Sequence, residues 1–378
     1  MGTSRKIKIG ILTSSRADFG IYLPLLNQLK KESSTFEISI IAFGTHLSPF
    51  HGRTINEIYN NGFEVAHQIS SILLCDDEES IATSYALTAM KFANFWSCQK
   101  YNFDYVLCLG DRFEMAAAVV AGLPFNIYFA HIHGGETTLG AIDNVFRHII
   151  SLASNLHFVS AEPFEKRIRS IVGNDANCYL VGSLSLDGIE ELKLPNKTEF
   201  KAKWNIDPDE PFILITIHPE TIATDKTINH VEVMEEVFSE LILESNLVIS
   251  MPNLDTHGSH FRESFEKVQK KFPRKVFLIE NFGKLNYFAA MKFCSIVLGN
   301  SSSGIIEAAS FDKYVINIGD RQKGRLVSDN VIHVPFNASD IIENTKKLKG
   351  KYFTGNNVYK INNAATSISD VLKKNNNN

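Results

Sequence analysis

The chain has 378 residues, enough for two domains at the usual span of about 100–200 residues each. Hydrophobic residues make up 44% and charged residues 21%, and 27 Phe and 11 Tyr supply ample core, which excludes disorder for the bulk of the chain. With 38 Lys and Arg against 42 Asp and Glu, the net charge of -4 excludes a general nucleic-acid binder but leaves room for a local cationic pocket.

Along the first half, short β-rich runs alternate with longer helical ones. Strands are expected at residues 7–13, 36–43, 105–109, 126–131, 156–159 and 179–181, and helices at 21–32, 79–101, 113–123, 144–154 and 163–172. Leu25, Leu26 and Leu29 carry the helical spacing in the first helix. Several strands are nearly all apolar, as when helices cover both faces of a parallel sheet. Residues 188–211 are polar, contain Pro195, Pro208 and Pro211, and read as a linker. A second series follows, with strands at 212–217, 247–251, 275–279, 296–298 and 314–318 and helices at 229–243, 261–272, 285–292 and 304–310. A last helix is expected at 363–373, before a low-complexity, frayed tail at 373–378.

The fold class expected is therefore α/β, with two Rossmann-like doubly wound domains at 1–187 and 188–360 and a C-terminal helix within 361–378. Open α/β sheets bind ligands beyond the carboxyl ends of their strands. Two such halves facing each other would place the site in the cleft between them. Cys75, Cys98, Cys108, Cys178 and Cys294 are odd in number, widely spaced and free of any C-x-x-C pair. That argues against a disulfide framework or structural zinc and fits a reducing cytoplasm. The apolar stretch at 7–12 is too short for a secretory signal, and Lys6 breaks the myristoylation pattern. The longest apolar run, 115–125, falls short of the roughly 20 residues of a membrane span.

The residues just after the strands carry the chemistry. After the first strand, Thr13-Ser14-Ser15-Arg16-Ala17-Asp18-Phe19-Gly20 lacks the dinucleotide fingerprint; Arg16 reads either as an anion ligand or as a solvated turn residue. Asp111, in Gly110-Asp111-Arg112-Phe113-Glu114, reads either as a helix cap or as a functional carboxylate. In His131-Ile132-His133-Gly134-Gly135-Glu136 the two histidines share a strand face, but nothing nearby completes a metal-ligand pattern, so no metal site is expected. Asp111, Glu136 and Asp143 thus come from neighbouring strand-end loops, and carboxylates sharing a site can divide into acid and base. In the second half, His218-Pro219-Glu220 ends a strand, and His218 reads as acid, base, phosphate donor or packed histidine. Gly299-Asn300-Ser301-Ser302-Ser303-Gly304 joins a strand to a helix N-terminus and would seat a diphosphate, with Glu307 on the first turn of that helix in reach of a ribose. Arg321, Lys323 and Arg325 follow the next strand and add cations beside it.

Taken together in this order, Ser15-Arg16-Ala17-Asp18, Gly110-Asp111-Arg112, the His131–Glu136 run, His218-Pro219-Glu220, the Gly299–Gly304 run and the Gly319–Arg325 run closely resemble the hydrolysing UDP-N-acetylglucosamine 2-epimerases. The match extends from about Lys6 to about Val334. The resemblance implies a GT-B-like fold whose C-terminal helix packs back on the first domain, a homodimer or homotetramer, and neither metal nor cofactor. It implies a UDP-sugar substrate, no membrane or nucleic-acid partner, and release of UDP with N-acetylmannosamine formed through a glycal by addition of water. It assigns catalysis to Asp111, Glu136, Asp143 and His218. It assigns UDP binding to Arg16, Gly20, Arg112, His218, Asn253, Phe282, Ser301, Ser302, Glu307 and Arg321. In the chemistry expected, Asp111 or Glu136 takes the carbon-2 proton and Asp143 or Glu136 returns one. Relatives acting on UDP-2,4-diacetamido-2,4,6-trideoxyglucose perform the same chemistry. A non-hydrolysing epimerase, a GT-B glycosyltransferase and a nucleotide-sugar binding protein are the rival classes.

Overall fold

The computed structural model describes residues 5–75, 77–100, 102–220, 227–251 and 258–376. The chain divides into two compact units. Unit 1 comprises Met1–Glu136, Asp143–Ile189 and Tyr359–Asn378; unit 2 comprises Thr137–Ile142 and Glu190–Val358.

In unit 1 the elements follow as β1 (Ile7–Thr13), α1 (Arg16–Lys31), β2 (Phe36–Phe43), α2 (Ile55–Asn60), β3 (Val65–Ile69), α3 (Glu78–Gln99), β4 (Tyr105–Leu109), α4 (Phe113–Val120), β5 (Phe129–Ile132), α5 (Asp143–Leu152), β6 (Leu156–Val159), α6 (Glu162–Val172) and β7 (Asn177–Leu180). The seven strands form one sheet in the order β3-β2-β1-β4-β5-β6-β7, parallel at every pairing. Strand alternation sends Ile9, Ile11 and Leu107 to one core, with Leu25, Leu26 and Leu29 of α1, and sends Val106 and Cys108 to the other, with Phe92 and Trp96 of α3. Both faces are thus covered, which is why the central strands carry almost no polar side chains.

Unit 2 contains α7 (Lys197–Trp204), β8 (Phe212–Thr216), α8 (Thr227–Leu241), β9 (Asn246–Ser250), α9 (Gly258–Lys271), β10 (Val276–Ile279), α10 (Gly283–Phe293), β11 (Ile296–Gly299), α11 (Ser302–Ile306), β12 (Val315–Ile318), β13 (Val331–Val334) and α12 (Ala338–Leu348). Its six strands run in the order β10-β9-β8-β11-β12-β13, again all parallel. The last helix, α13 (Ala364–Asn376), belongs to unit 1 and buries Ile368 and Leu372 in the core shared with α1. Each such burial contributes about 1.5–3 kcal/mol. Polar ties fix the helix as well: Asp187 Oδ2 accepts from Ala365 N at 2.8 Å, and Glu32 Oε2 accepts from Ser369 Oγ at 2.9 Å and pairs with Lys373 Nζ at 3.0 Å.

Several elements differ from the sequence expectation. α1 starts at Arg16 rather than at 21, because Ser15 and Asp18 close a capping box at its N-terminus. Pro24 then lies inside the helix and withholds an N–H from the Gly20 carbonyl. The strand expected at 126–131 is Phe129–Ile132, since Leu123–Phe125 forms a short 3-10 turn and Asn126 takes the left-handed conformation. The stretch read as a linker holds α7, closed by an Asn196–Glu199 capping box. The helix expected at 304–310 is the five-residue α11 followed by a 3-10 turn over Ala308–Phe311.

Candidate active site

In both sheets the strand order reverses beside the first strand of the unit: between β1 and β4 in unit 1, and between β8 and β11 in unit 2. In open α/β sheets such reversal points are where the loops at the strands' carboxyl ends bind ligands, and each unit has its own. Arg16, Asp111, His218 and the Ser301-Ser302 turn all lie on those loops or open the elements that follow them.

The unit 1 cluster is built around Arg147, one helical turn after Asp143 on α5. Its guanidinium is 2% exposed and is shared between two carboxylates. Nη2 pairs with Asp111 Oδ2, and Nη1 donates to Glu136 Oε2 at 3.1 Å and to the His133 carbonyl at 3.2 Å. Glu136 is fully enclosed, whereas the Asp111 side chain keeps 26% of its surface. Glu136 Oε1 accepts from Ser160 Oγ at 2.9 Å and faces His133 Nδ1 at 3.0 Å. Asp111 does not cap α4: Arg112 holds that position. Arg112 Nε donates to Glu114 Oε1 at 2.6 Å.

His131 is spent on structure rather than on a ligand. Its Nε2 lies 2.9 Å from the Gly110 carbonyl, which can only accept, so Nε2 carries the hydrogen. Burial pushes its pKa down to about 3, and Nδ1 lies 3.0 Å from Ser151 Oγ, whose hydroxyl also donates to the Arg147 carbonyl at 3.0 Å. His131 thereby ties the backbone just before Asp111 to α5, the helix of Arg147. Among the described residues no group of three His, Cys, Asp or Glu is placed to hold a metal ion.

At the end of β1, Asp18 Oδ2 accepts from Ser14 N and Ser14 Oγ, both at 2.7 Å, and from Ser15 N at 3.1 Å. This fixes the loop that presents Arg16, which is half-buried at the first position of α1. Behind the loop, His46 is buried between Thr13 Oγ1 and Thr54 Oγ1, each at 2.9 Å, and desolvation lowers its pKa to about 4.

The unit 2 cluster is organised by Asn300, which is fully buried. Its side chain accepts from His218 N and donates to the His218 carbonyl, both at 2.8 Å, locking the backbone after β8 to the end of β11. Its carbonyl accepts from Gln322 Nε2 at 2.8 Å and from Arg321 Nη1 at 3.4 Å. The preceding Gly299 has φ 140, and a Cβ there would meet the Thr216 carbonyl at 2.0 Å, so only glycine lets the two strand ends approach. Ser301 caps α11, accepting from Ser303 N at 3.4 Å. Arg321 is half-buried and its Nε has no hydrogen-bond partner among the described residues. Glu220 Oε1 holds the cation-bearing loop by accepting from Asp320 N at 2.5 Å. Within the same unit, Leu139 N of the 137–142 segment donates to the Lys323 carbonyl at 2.9 Å.

Asp111 and Glu136 therefore meet through Arg147, with Asp143 opening the same helix, and His218, Ser301, Ser302 and Arg321 gather around Asn300. Other expected positions fall differently. Glu307 is not on the first turn of its helix but caps the C-terminus of α11, because that helix is so short. A five-residue helix has little dipole, which leaves the serine hydroxyls, the end N–H groups and Arg321 as the groups with the chemistry to meet an anion. Phe282 is buried in an aromatic cluster, stacked on Phe200 at 6.2 Å between centroids and edge-on to Trp204 at 4.8 Å. Gly20 lies within α1, and Asn253 lies outside the described residues. Sequence reasoning missed Arg147 and the bridging role of Asn300. The available signal for Arg147 was its spacing of one helical turn from a candidate acid, which puts both on one face.

A model of the UDP-N-acetylglucosamine 2-epimerase family matches residues 27–373. The chain is 34% identical over 93% of its length to a Campylobacter jejuni GDP/UDP-N,N'-diacetylbacillosamine 2-epimerase (hydrolyzing), covering 90% of that protein. It is 32% identical over 91% of its length to a Legionella pneumophila UDP-N,N'-diacetylbacillosamine 2-epimerase (hydrolyzing), covering 89% of it. The crystal structure of a Neisseria meningitidis UDP-GlcNAc 2-epimerase bound to UDP-GlcNAc superimposes with a TM-score of 0.79 at 20% identity, covering 97% of this chain and 100% of that one. That likeness shows a shared GT-B-like fold of two Rossmann-like domains. With its fold and with the family model matched over most of its length, the chain belongs to the UDP-N-acetylglucosamine 2-epimerase family.

Proposed function

We propose that the protein is a hydrolysing UDP-sugar 2-epimerase, releasing UDP and a free mannose-configured 2-acetamido sugar. The observation that carries this reading is the pair of carboxylates, Asp111 and Glu136, bridged by the buried Arg147 at the strand ends of unit 1. The carbon-2 hydrogen of the sugar is only weakly acidic, so its removal needs an oriented base and a departing group that carries electrons away. Asp111, the more accessible of the two, takes that proton. The C–H electrons form the carbon–carbon double bond as the bond from carbon 1 to UDP breaks. Developing charge on the diphosphate is met by Ser301, Ser302, Arg321 and His218, with Arg16, Gly20, Arg112, Asn253, Phe282 and Glu307 completing UDP recognition. Glu136 and Asp143 supply the return of a proton to carbon 2 and the activation of the water that adds to carbon 1.

UDP-N-acetylglucosamine is the sugar the motifs imply. The names of the two relatives at 34% and 32% identity favour a second reading, a UDP-linked 2,4-diacetamido-2,4,6-trideoxy sugar. Turnover of the two sugars side by side tests both. One of them is expected to yield free UDP and a free epimerised sugar with water as the only co-substrate. A UDP-linked epimer without free UDP would assign the non-hydrolysing reaction, and dependence on an added acceptor would assign a glycosyltransferase.

A further inference from the structure

The geometry points to His133 as a catalytic residue of this reaction: its Nε2 returns the proton to carbon 2, and Glu136 acts through it. This rests on the hydrolysing 2-epimerase reading above and changes which atom touches the sugar.

Glu136 is badly placed to reach a carbon atom itself. The carboxylate is 0% exposed, with Oε2 bonded to Arg147 and Oε1 to Ser160 Oγ and His133 Nδ1. His133 is placed the opposite way. A carboxylate oxygen that already accepts from Ser160 takes a hydrogen from His133, so Nδ1 is the protonated nitrogen. Nε2 remains, buried and without a hydrogen-bond partner among the described residues. Buried polar atoms are nearly always paired, and an orphan beside an ion-paired cluster marks a place where a ligand atom belongs. An imidazole oriented by a carboxylate on one nitrogen, with the other directed away from it, is the arrangement that general acids and bases use.

The backbone supports the same conclusion. His133 has φ 65, in the left-handed region, between a strand and the Gly134-Gly135 pair. That conformation is imposed from both sides: His133 N donates to the Phe158 carbonyl at 2.9 Å, and the His133 carbonyl accepts from Arg147 Nη1 at 3.2 Å. Gly135 follows with φ 77, where a Cβ would meet the Phe164 carbonyl at 2.5 Å, so the turn cannot relax by shifting its neighbours. Held-in strain of this kind gathers at functional sites. In the second half of the reaction, Nε2, having taken up a proton from solvent while Nδ1–H stays on Glu136, passes that proton to carbon 2. The double-bond electrons form the new C–H bond, and water adds its oxygen to carbon 1 and loses a proton to Asp143. The imidazole, now neutral, regains a proton from solvent.

Two variants test this, read by UDP release, by the hydrated sugar formed and by UDP affinity. His133→Asn tolerates a positive φ and its amide can still donate to Glu136, so it deletes Nε2 alone. Formation of the hydrated sugar is expected to slow by about 10²–10⁴-fold, with UDP affinity unchanged and the unsaturated sugar accumulating. His133→Gly relieves the backbone and leaves a hole; a similar loss is expected, with free imidazole restoring a large part of the rate. Wild-type-like hydration in His133→Asn, or a loss in His133→Gly that imidazole leaves unchanged, overturns the proposal. Failure of the wild-type protein to turn over either UDP-sugar would instead overturn the functional reading beneath it.

Discussion

At the scale of the residue, Arg147 sets the geometry of unit 1. One guanidinium, 2% exposed, holds two carboxylates and a backbone carbonyl through a planar fork that a lysine ammonium cannot reproduce. Arg147→Met removes the guanidinium that Asp111 and Glu136 share. Breaking a buried pair in this way costs about 3–5 kcal/mol, and turnover is expected to fall by about 10²–10⁴-fold. Arg147→Lys is expected to restore part of the stability but little of the rate, because it orients one carboxylate and releases the other. Urea denaturation and steady-state turnover on the same preparations check both statements. Asp111 and Glu136 were legible in the sequence because acidic residues after consecutive apolar strands fall at one edge of a sheet. Arg147 was not, because one sequence cannot say which face of a helix turns inward. Asn300 sat in plain view within a serine-rich turn, yet its role depends on a bridge to His218, 82 residues away.

At the scale of the element, the central strands were legible and the margins were not. β3 and β13 are edge strands with alternating or partial exposure, and their short, mixed sequences carry too little periodicity. α7 was hidden by the prolines around it, and α12 rests on an Asn337 cap and a Lys-rich outer face. Three buried histidines give unit 1 a distinctive response to acid. Desolvation lowers His46 and His157 to about 4 and His131 to about 3, from an ordinary 6.5. Below pH 6.5 the unfolded chain takes up protons that the folded histidines refuse, so stability falls as pH falls. The slope is about 1.4 kcal/mol per pH unit for each histidine, or about 2 kcal/mol each by pH 5. The decline ends near pH 4 for His46 and His157 and near pH 3 for His131. His157 is buried on β6 with neither ring nitrogen partnered among the described residues. His157→Leu is therefore expected to raise the urea midpoint, by more at pH 5 than at pH 7. An equal change at both pH values would show that His157 is not held neutral.

At the scale of the whole molecule, two sheets are wound on one plan, each reversing beside its first strand, and the chemistry-bearing loops leave those reversal points. This much followed from the alternation of apolar strands and helices. What did not follow was the path of the chain: the six residues Thr137–Ile142 belong to unit 2 although both flanks, ending in Glu136 and starting at Asp143, belong to unit 1. Local patterning carries no record of such a crossing, because it reports which residues are apolar and not which unit they join. No helix among the described residues is long and apolar enough to cross a membrane. The proposed reaction removes a proton from carbon 2, expels UDP and returns a proton from solvent while water adds. Turnover in deuterated water, followed by mass and nuclear magnetic resonance analysis of the products, tests it directly. The expected products are free UDP and a mannose-configured free sugar carrying one deuterium at carbon 2. Free UDP with no deuterium at that carbon, or an epimer still linked to UDP, would contradict it.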